Sequence, residues 1–452
     1  LMLLPQRMLV ESAADTLLKK MSQLHVRGDI LYEAGRGRQL RLRNGKPEKD
    51  TSGLSFRMGV RVIGSEGRQG VADAGTLSCD ALDRTLDSAV AAMNNADPED
   101  GVSLFQGELA SPEGLELEDE RIRNITSGER MERCREMTET ALAADPRVRS
   151  VRSAAWSDGD GESLYVSTEG QKVWSADTFV SCGASVVMET GGSMEMGGFG
   201  ADARNIDAID CRRVAKRAVD RTALFLGGRP VPTARYRLVL DPEVTASFVD
   251  MLGELFLYSN IWKKRSLFEG KTGQLVAGRS VSIVDDGRLP GQFGTAPFDG
   301  EGTPTGRTVL MEDGRVCGFL NNLKYATLSG MEPTGNAVRS PGSLPDVGSS
   351  NLFILPGERA PKDLMLSSEG GLYVLDLLGF HTVDPVSGDF SLGVKGATLR
   401  GGVPDSPVAG VAVSGNLMDF LPRIAEVAND LEFFGDTGGC TVVVDDVVVA
   451  GS

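Results

Sequence analysis

Two pairs of carboxylates and one amide–arginine pair are the residues whose spacing could do chemistry in this chain. Asp250 and Glu254 lie one helical turn apart in an apolar helix pattern that runs from Val244 to Ser259. They could form an acid pair, or they could be a solvated or interface face. Asp299 and Glu301 sit two apart in Phe298-Asp-Gly-Glu-Gly302. That run reads as extended, so the two side chains would point the same way. They could hold a peptide's backbone or a basic side chain. Equally, they could fix a turn, with Gly300 and Gly302 supplying unusual backbone angles. Asn336 and Arg339 could line a cleft, although Thr334-Gly-Asn336 is also ordinary turn chemistry. His25 and His381 are the only histidines, and neither has a partner at ligand spacing. His381 is a candidate substrate contact, set against a hydrogen-bonded structural role. There is no G-x-S-x-G and no Cys/His pairing, so a serine or cysteine hydrolase has no support. Trp262-Lys263-Lys264-Arg265 is either a partner patch or a solvated basic elbow.

The elements that must position these residues begin with a helix. Leu9, Ala13, Leu17 and Met21 recur every four residues and predict an amphipathic helix over Arg7–Met21. Strands follow at Asp29–Glu33, Gln39–Arg43 and Leu54–Ile63, with Asn44-Gly45 as a hairpin turn. A second helix is expected over Cys79–Asn94, with Ser78 as N-cap and Leu82, Leu86, Ala89 and Met93 inward. Glu99–Glu120 reads as an acidic surface connection. Thr126 and Glu129 have capping-box spacing for a third helix. Hairpins are expected from Val148 to Met188, with Asp158-Gly-Asp-Gly161 as a turn. Gly191–Gly200 contains an imperfect GxGxxA match. The segment before it alternates like an antiparallel strand, so a mobile loop is the better reading than a cofactor cradle. A fourth helix covers Asp207–Leu226 and ends at Gly227-Gly228. A boundary near Pro230-Val-Pro232 divides the chain into 1–228 and 229–452.

In the second half, Tyr236–Leu240 leads as a strand into the helix that carries Asp250. Strand-like runs follow at Val281–Gly287, Phe298–Gly302 and Arg307–Gly314. The predicted class is α+β: an N-terminal antiparallel or mixed sheet with helices on one face, then a β-rich C-terminal domain around a central helix.

The totals narrow the function classes. The chain has 452 residues, enough for two or three domains and a substantial core. With 47 Lys+Arg against 63 Asp+Glu the net charge is −16, which repels phosphate backbones and argues against direct nucleic-acid binding. Six scattered cysteines without a CxxC pair fit reduced thiols and a cytoplasmic location. No run approaches a membrane span, and the apolar opening Leu1–Leu4 breaks at Pro5 without a signal peptide's basic start.

Several short motifs then occur in order. They are Phe268-Glu-Gly270, Gly273-Gln274, Asp285-Asp-Gly287, the D-x-E-G of Asp299–Gly302, and Thr334-Gly-Asn336 with Arg339. Asn351–Gly357, Gly388-Asp-Phe-Ser391, Gly415–Asp419 and Val427–Asp430 complete the series. Together they resemble the TldD/PmbA family. In that family's TldD branch the central helix carries HExxxH, whose histidines bind zinc while the Glu activates its water. Alignment places Val249 and Glu254 at the two His positions and Asp250 at the Glu. The resemblance therefore points to the PmbA branch, also called TldE, with no catalytic residues, metal or cofactor of its own. It implies pairing with a TldD-type zinc metallopeptidase subunit and help in holding an extended peptide. Asp299, Glu301, Asn336, Arg339 and His381 are the candidate contacts. A homodimer in isolation would cover the partner-facing surface. The TldD branch also has a Cys near its C-terminus. Here Cys440 precedes Thr-Val-Val-Val444 and reads as the start of a buried edge strand. Two alternatives stay open: an autonomous carboxylate-dependent hydrolase, and a regulator acting by protein binding, as the family label of DNA gyrase modulator suggests.

Overall fold

The computed structural model describes residues 4–108 and 111–451; Leu1–Leu3 of the apolar opening lie outside them. Alternating polar and apolar residues build six long strands in the N-terminal half: β1 (Arg27–Arg43), β2 (Lys46–Ile63), β3 (Gln69–Ala74), β4 (Val148–Ser167), β5 (Lys172–Thr190) and β6 (Ser193–Ala203). They form one sheet in the order β3-β2-β1-β4-β5-β6, with every pair antiparallel. The β1–β2 turn is Asn44-Gly45, both at positive φ (49° and 74°), as a tight hairpin requires.

Four helices cover one face of this sheet, as expected. Arg7–Gln23 and Cys79–Asn95 bury Val10, Leu17, Leu82 and Leu86 against Ile30, Tyr32 and Val60. Ser127–Ala144 and Cys211–Phe225 bury Met137, Val214 and Ala218 against Leu40, Trp156 and Val186. Thr126 and Glu129 close a complete capping box. Ser78 holds the N-cap position of its helix, but its side chain makes no cap bond.

Three expectations change. Asp29–Glu33 and Gln39–Arg43 are one unbroken strand. Asp158-Gly-Asp-Gly161 is not a turn but the middle of β4. Its carboxylates are buried and anchored, Asp158 by Arg38 and Arg130 and Asp160 by Arg36, so the chain runs straight through. Gly191–Gly200 is neither loop nor cradle: only Gly191-Gly192 turns, and the rest is β6. Gly197 is needed there because a Cβ would strike Thr222 of the covering helix.

The C-terminal half opens with β7 (Ala234–Leu240). Asp241 then caps the central helix Pro242–Phe256, accepting from Glu243 N at 3.1 Å, with Pro242 in the first helical position. Ten of this helix's residues are buried, because it runs between sheets rather than over a surface. On one side lies an open sheet in the order β10-β9-β8-β13-β19-β18. Its strands are β8 (Ile283–Asp286), β9 (Arg307–Glu312), β10 (Arg315–Val316), β13 (Leu352–Ile354), β18 (Glu432–Phe434) and β19 (Thr437–Gly439). A two-stranded ribbon pairs β11 (Ala337–Val338) with β12 (Asp346–Val347).

The last sheet curls into a barrel. It joins β7 to β14 (Leu372–Leu378), β15 (Asp389–Arg400), β16 (Val403–Asn416), β17 (Ile424–Val427) and β20 (Val442–Ala450). The order is β16-β15-β14-β7-β20-β17, and β16 also pairs with β20 through Ala412↔Ala450 and Val413↔Val449. The strand after Cys440 therefore has neighbours on both sides, and the edge-strand expectation fails. Cys440 itself is buried. No helix among the described residues is long and apolar enough to cross a membrane.

Phe256 and Phe268 are fully buried with ring centroids 4.9 Å apart, and they fix the chain where it leaves the central helix. Phe268→Ala is expected to cost about 3–5 kcal/mol and to lower the denaturation midpoint in urea accordingly. An unchanged midpoint would contradict this account of the packing.

Candidate functional site

The two halves meet over the sheet face that the helices leave bare, and charged residues lie at the junction. Asp29 on β1 and Arg61 on β2 pair directly, with Arg61 Nε donating to Asp29 Oδ2 at 3.0 Å. From the other half, Glu301 Oε1 accepts from Arg61 Nη1 at 3.1 Å, and Arg339 Nη1 lies 2.8 Å from Asp29 Oδ1. All four side chains are essentially inaccessible to water. Two positive and two negative charges make a neutral quartet, the condition for burying such groups. Burial opposes ionisation of Asp29, but Arg339 and Arg61 outweigh it and hold its pKa below the ordinary range.

Asp299 and Glu301 do not point the same way. The Phe298–Gly302 segment is a turn, not a strand, and Gly302 has φ 75°. Asp299 folds back on its own chain and accepts from Glu301 N (2.8 Å), Thr303 N (3.0 Å) and Ala337 N (2.9 Å). Glu301 reaches across to Arg61 and accepts from Leu323 N at 3.0 Å. Phe298 packs with Tyr165 and Val173 of the N-terminal sheet, and a Cβ on Gly302 would collide with the Tyr165 ring. The D-x-E-G segment is thus a plug that seats one half in the other. Burial and then the Glu301 charge push the Asp299 pKa up to about 7.

Asn336 is also buried inside the structure. Its Nδ2 donates to Asp285 Oδ2 at 2.8 Å, and Ser350 N donates to Asp285 Oδ1 at 2.7 Å. Burial dominates at Asp285 and pushes its pKa up to about 6. The structure therefore brings Asp299, Glu301, Asn336 and Arg339 together, as parts of the junction. The His381 side chain lies outside the described residues.

Beside the quartet, the junction leaves space. A groove of about 490 Å³ runs over the sheet face between Gly35, Arg57, Gly161 and Ser175, under Ser340-Pro341. A second cavity of about 320 Å³ reaches from Leu31 to Asp299, Asn336, Ser350 and Asp436. Glu33 and Ser163 line both, so the two form one cleft with the Val338–Pro341 segment crossing it. Glu33 is exposed there. Gly59 lets Pro341 approach, because a Cβ would strike the Pro341 carbonyl.

On the central helix, Asp250 lies near Asp436, a residue that lines the second cavity. Partial burial and the nearby Asp436 carboxylate, itself a cleft residue, raise the Asp250 pKa. Val249, next to it, is buried in the hydrophobic core. Glu254 is exposed, and its Oε2 accepts from Asn260 Nδ2 at 3.3 Å. Five positions apart on one helix, Val249 and Glu254 face different surroundings. A zinc ion needs nitrogen, sulfur or carboxylate donors converging on one point. These three positions offer a hydrocarbon turned into the core and two exposed carboxylates one turn apart, so they do not fit a peptidase zinc. Among the described residues, no group of three or more His, Cys, Asp or Glu converges to hold a metal ion.

The spacing arguments missed Asp29, Arg61, Tyr165 and Asp285. Asp29 and Arg61 lie 32 positions apart in different strands, and only the hairpin register brings them together. Asp285 left two signals, its place in the Asp285-Asp-Gly287 motif and its position as a carboxylate at the end of the apolar run Val281-Ser-Ile-Val284.

Comparison with known proteins agrees with this architecture along most of the chain. Three family profiles match in succession: PmbA/TldA metallopeptidase domain 1 over residues 28–93, the central domain over 120–226 and the C-terminal domain over 233–451. The chain belongs to the PmbA/TldD family. It is 24% identical to a metalloprotease of Methanocaldococcus jannaschii, over 95% of this chain and 98% of that one. It is 23% identical to metalloprotease PmbA of Escherichia coli O157:H7, over 99% and 97%. The fold is shared with the crystal structure of a proposed DNA gyrase modulator from Thermotoga maritima. That comparison gives a TM-score of 0.88 and 26% identity, covering 98% of this chain and 100% of that one. TldE from Thermococcus kodakarensis has the same fold, with a TM-score of 0.87, 20% identity and coverage of 97% and 100%.

Removing one member of the quartet strands a buried charge. Glu301→Ala is expected to destabilise the protein by about 3–5 kcal/mol, and the double variant Arg61→Leu/Glu301→Leu to recover part of that loss. Chemical denaturation of the unaltered protein and the two variants checks this; a double variant no more stable than Glu301→Ala would refute it. The raised pKa values of Asp299 and Asp285 make the folded state bind protons more tightly than the unfolded chain. Their stabilising contribution is full below about pH 4 and is lost as pH rises towards about 7. Melting curves across that window should show a shallower decline for Asp299→Asn than for the unaltered protein.

Proposed function

We propose that this chain is the non-catalytic, PmbA-type subunit of a two-subunit peptidase, and that a TldD-type partner supplies the zinc. The observation that carries this reading is the central helix. At the three positions aligned with the metalloprotease motif it buries Val249 in the core and leaves only the exposed carboxylates of Asp250 and Glu254. A helix so equipped can line a binding surface but cannot polarise water through a metal. The cleft beside it persists, with a sheet floor, the exposed Glu33 and small residues such as Gly35, Gly161, Ser163 and Ser175. Such a floor suits an extended peptide laid along it. Relatives named as TldD homologues and PmbA homologues both match this chain, which supports a system in which the two kinds coexist.

The alternative of a carboxylate hydrolase acting alone is weakened by Asp299. Its two oxygens already accept three backbone N–H groups, and it holds a turn. The alternative of a gyrase regulator rests on the description of structural neighbours.

Purified alone, the chain should bind less than one equivalent of zinc and cleave no peptide. Mixed with a TldD-type subunit it should form a stable complex whose peptidase activity is abolished by a chelator. Stoichiometric zinc together with hydrolysis in the isolated chain would refute the reading. Within the complex, Ser163→Trp fills the cleft and is expected to raise KM for peptides several-fold, while the complex itself still forms. An unchanged KM would remove the cleft from substrate binding.

A further inference from the structure

The central helix does not end blankly. A short helical turn, Tyr258–Trp262, follows it and delivers Trp262-Lys263-Lys264-Arg265 to the surface. All four residues are exposed, Trp262 to 51%. An indole that open to water forgoes most of the burial its surface could gain. Lys263, Lys264 and Arg265 make no ion pair among the described residues, whereas nearby Lys324 is tied to Glu99. In a chain of net charge −16, the elbow sets three consecutive cations that make no ion pair among the described residues beside a bare indole, with Glu254 and Glu269 exposed on either side along the chain.

The elbow is also held still. Lys263 N, Lys264 N and Arg265 N donate to Ser259 O (3.2 Å), Ile261 O (3.0 Å) and Asn260 O (2.8 Å). Lys264 is locked in the left-handed region at φ 55°. Ser266 Oγ then donates to Leu255 O at 2.6 Å, and buried Phe268 anchors the exit. Lys263 lines a crevice of about 290 Å³ shared with Lys324, Glu99, Asp346, Tyr325 and Leu344, and Leu344 is 42% exposed. The Tyr258–Trp262 turn packs on β12, just after Leu344 in the chain. The indole and the three cations thus stand on one preorganised elbow, with Lys263 reaching the crevice that Leu344 lines, and little freedom is lost when the elbow is covered.

We propose that this elbow docks a second protein that presents carboxylates around an apolar socket. Resting on the pairing proposed above, its occupant is the metal-bearing TldD-type subunit. Aromatic and arginine side chains on a rigid support are the kind that dominate protein interfaces, and charge complementarity selects an acidic face. A second copy's own elbow would meet it with like charge. Because the elbow continues directly from the central helix, docking here would set that helix against the partner.

The test measures association of the full-length chain with the TldD-type subunit by titration calorimetry at low and moderate salt. The reversal Lys263→Glu/Lys264→Glu/Arg265→Glu should weaken binding about tenfold or more and flatten its salt dependence; Trp262→Ala should weaken it comparably at both salts. Reversal of Arg43, Lys46 and Lys49 on the distant β1–β2 hairpin should leave binding unchanged. All the charge variants alter exposed side chains, so they should melt like the unaltered protein; if Trp262→Ala does not, the triple reversal decides. Association as tight in the triple reversal as in the unaltered chain overturns the elbow while the pairing stands. Loss of self-association alone overturns it too. Failure of the unaltered chain to associate at all overturns the pairing and, with it, the elbow's occupant.

Discussion

Four charges buried where the two halves meet decide how this protein is put together. Asp29 and Arg61 belong to neighbouring strands of the N-terminal sheet, Glu301 and Arg339 to turns of the C-terminal half. None could be buried alone without a large desolvation penalty, and the four together are neutral. Their mutual dependence ties the relative position of the halves to ion-pair geometry rather than to greasy contact, which tolerates sliding. Around them the fit is steric as well: Phe298 enters between Tyr165 and Val173, and glycines at positions 59 and 302 admit backbone and ring where a methyl group could not. The cleft follows from this seating, because the plug fixes one wall and leaves the sheet face beside Glu33 and Ser163 uncovered.

The residues that looked most chemical in the sequence therefore serve two different ends. Asp299, Glu301, Asn336 and Arg339 are consumed by the junction: each has its hydrogen-bonding or charge demand met from within the chain. They shape the cleft's wall and floor, and of the four only Arg339, paired in charge with Asp29, keeps guanidinium N–H groups without a hydrogen-bond acceptor. Asp250 is different. It stands near Asp436, and partial burial and then repulsion from that carboxylate make it reluctant to ionise.

Local features were legible in the sequence because local physics fixes them. The four-residue apolar spacing gave the first helix, Thr126 and Glu129 gave a complete capping box, and Asn44-Gly45 gave the hairpin turn. Misreadings arose where a distant partner overrode a local preference. Asp158-Gly-Asp-Gly161 is ideal turn chemistry, yet arginines from β1 and a helix hold its carboxylates and keep it straight. The glycines of β6 signal flexibility by themselves but serve the close approach of a helix. Asp299-Gly-Glu301 alternates like a strand, yet one acid caps its own turn and the other crosses to Arg61. The barrel could not be read at all, since its closure between β16 and β20 depends on registers that no local pattern records. The motif order, by contrast, carried the family, which the profiles over 28–93, 120–226 and 233–451 bear out.

The barrel's wiring has a consequence for biogenesis. The central helix grows directly out of β7, but β7 acquires its neighbour β20 only after almost the whole C-terminal half has been synthesised. Until then a nascent chain must carry β7 and the helix's apolar faces with one side unpaired, a state prone to capture by other unfolded chains. Ribosome-bound intermediates of this fold should thus lean on chaperones, and premature termination would release not a smaller working protein but an open, sticky sheet.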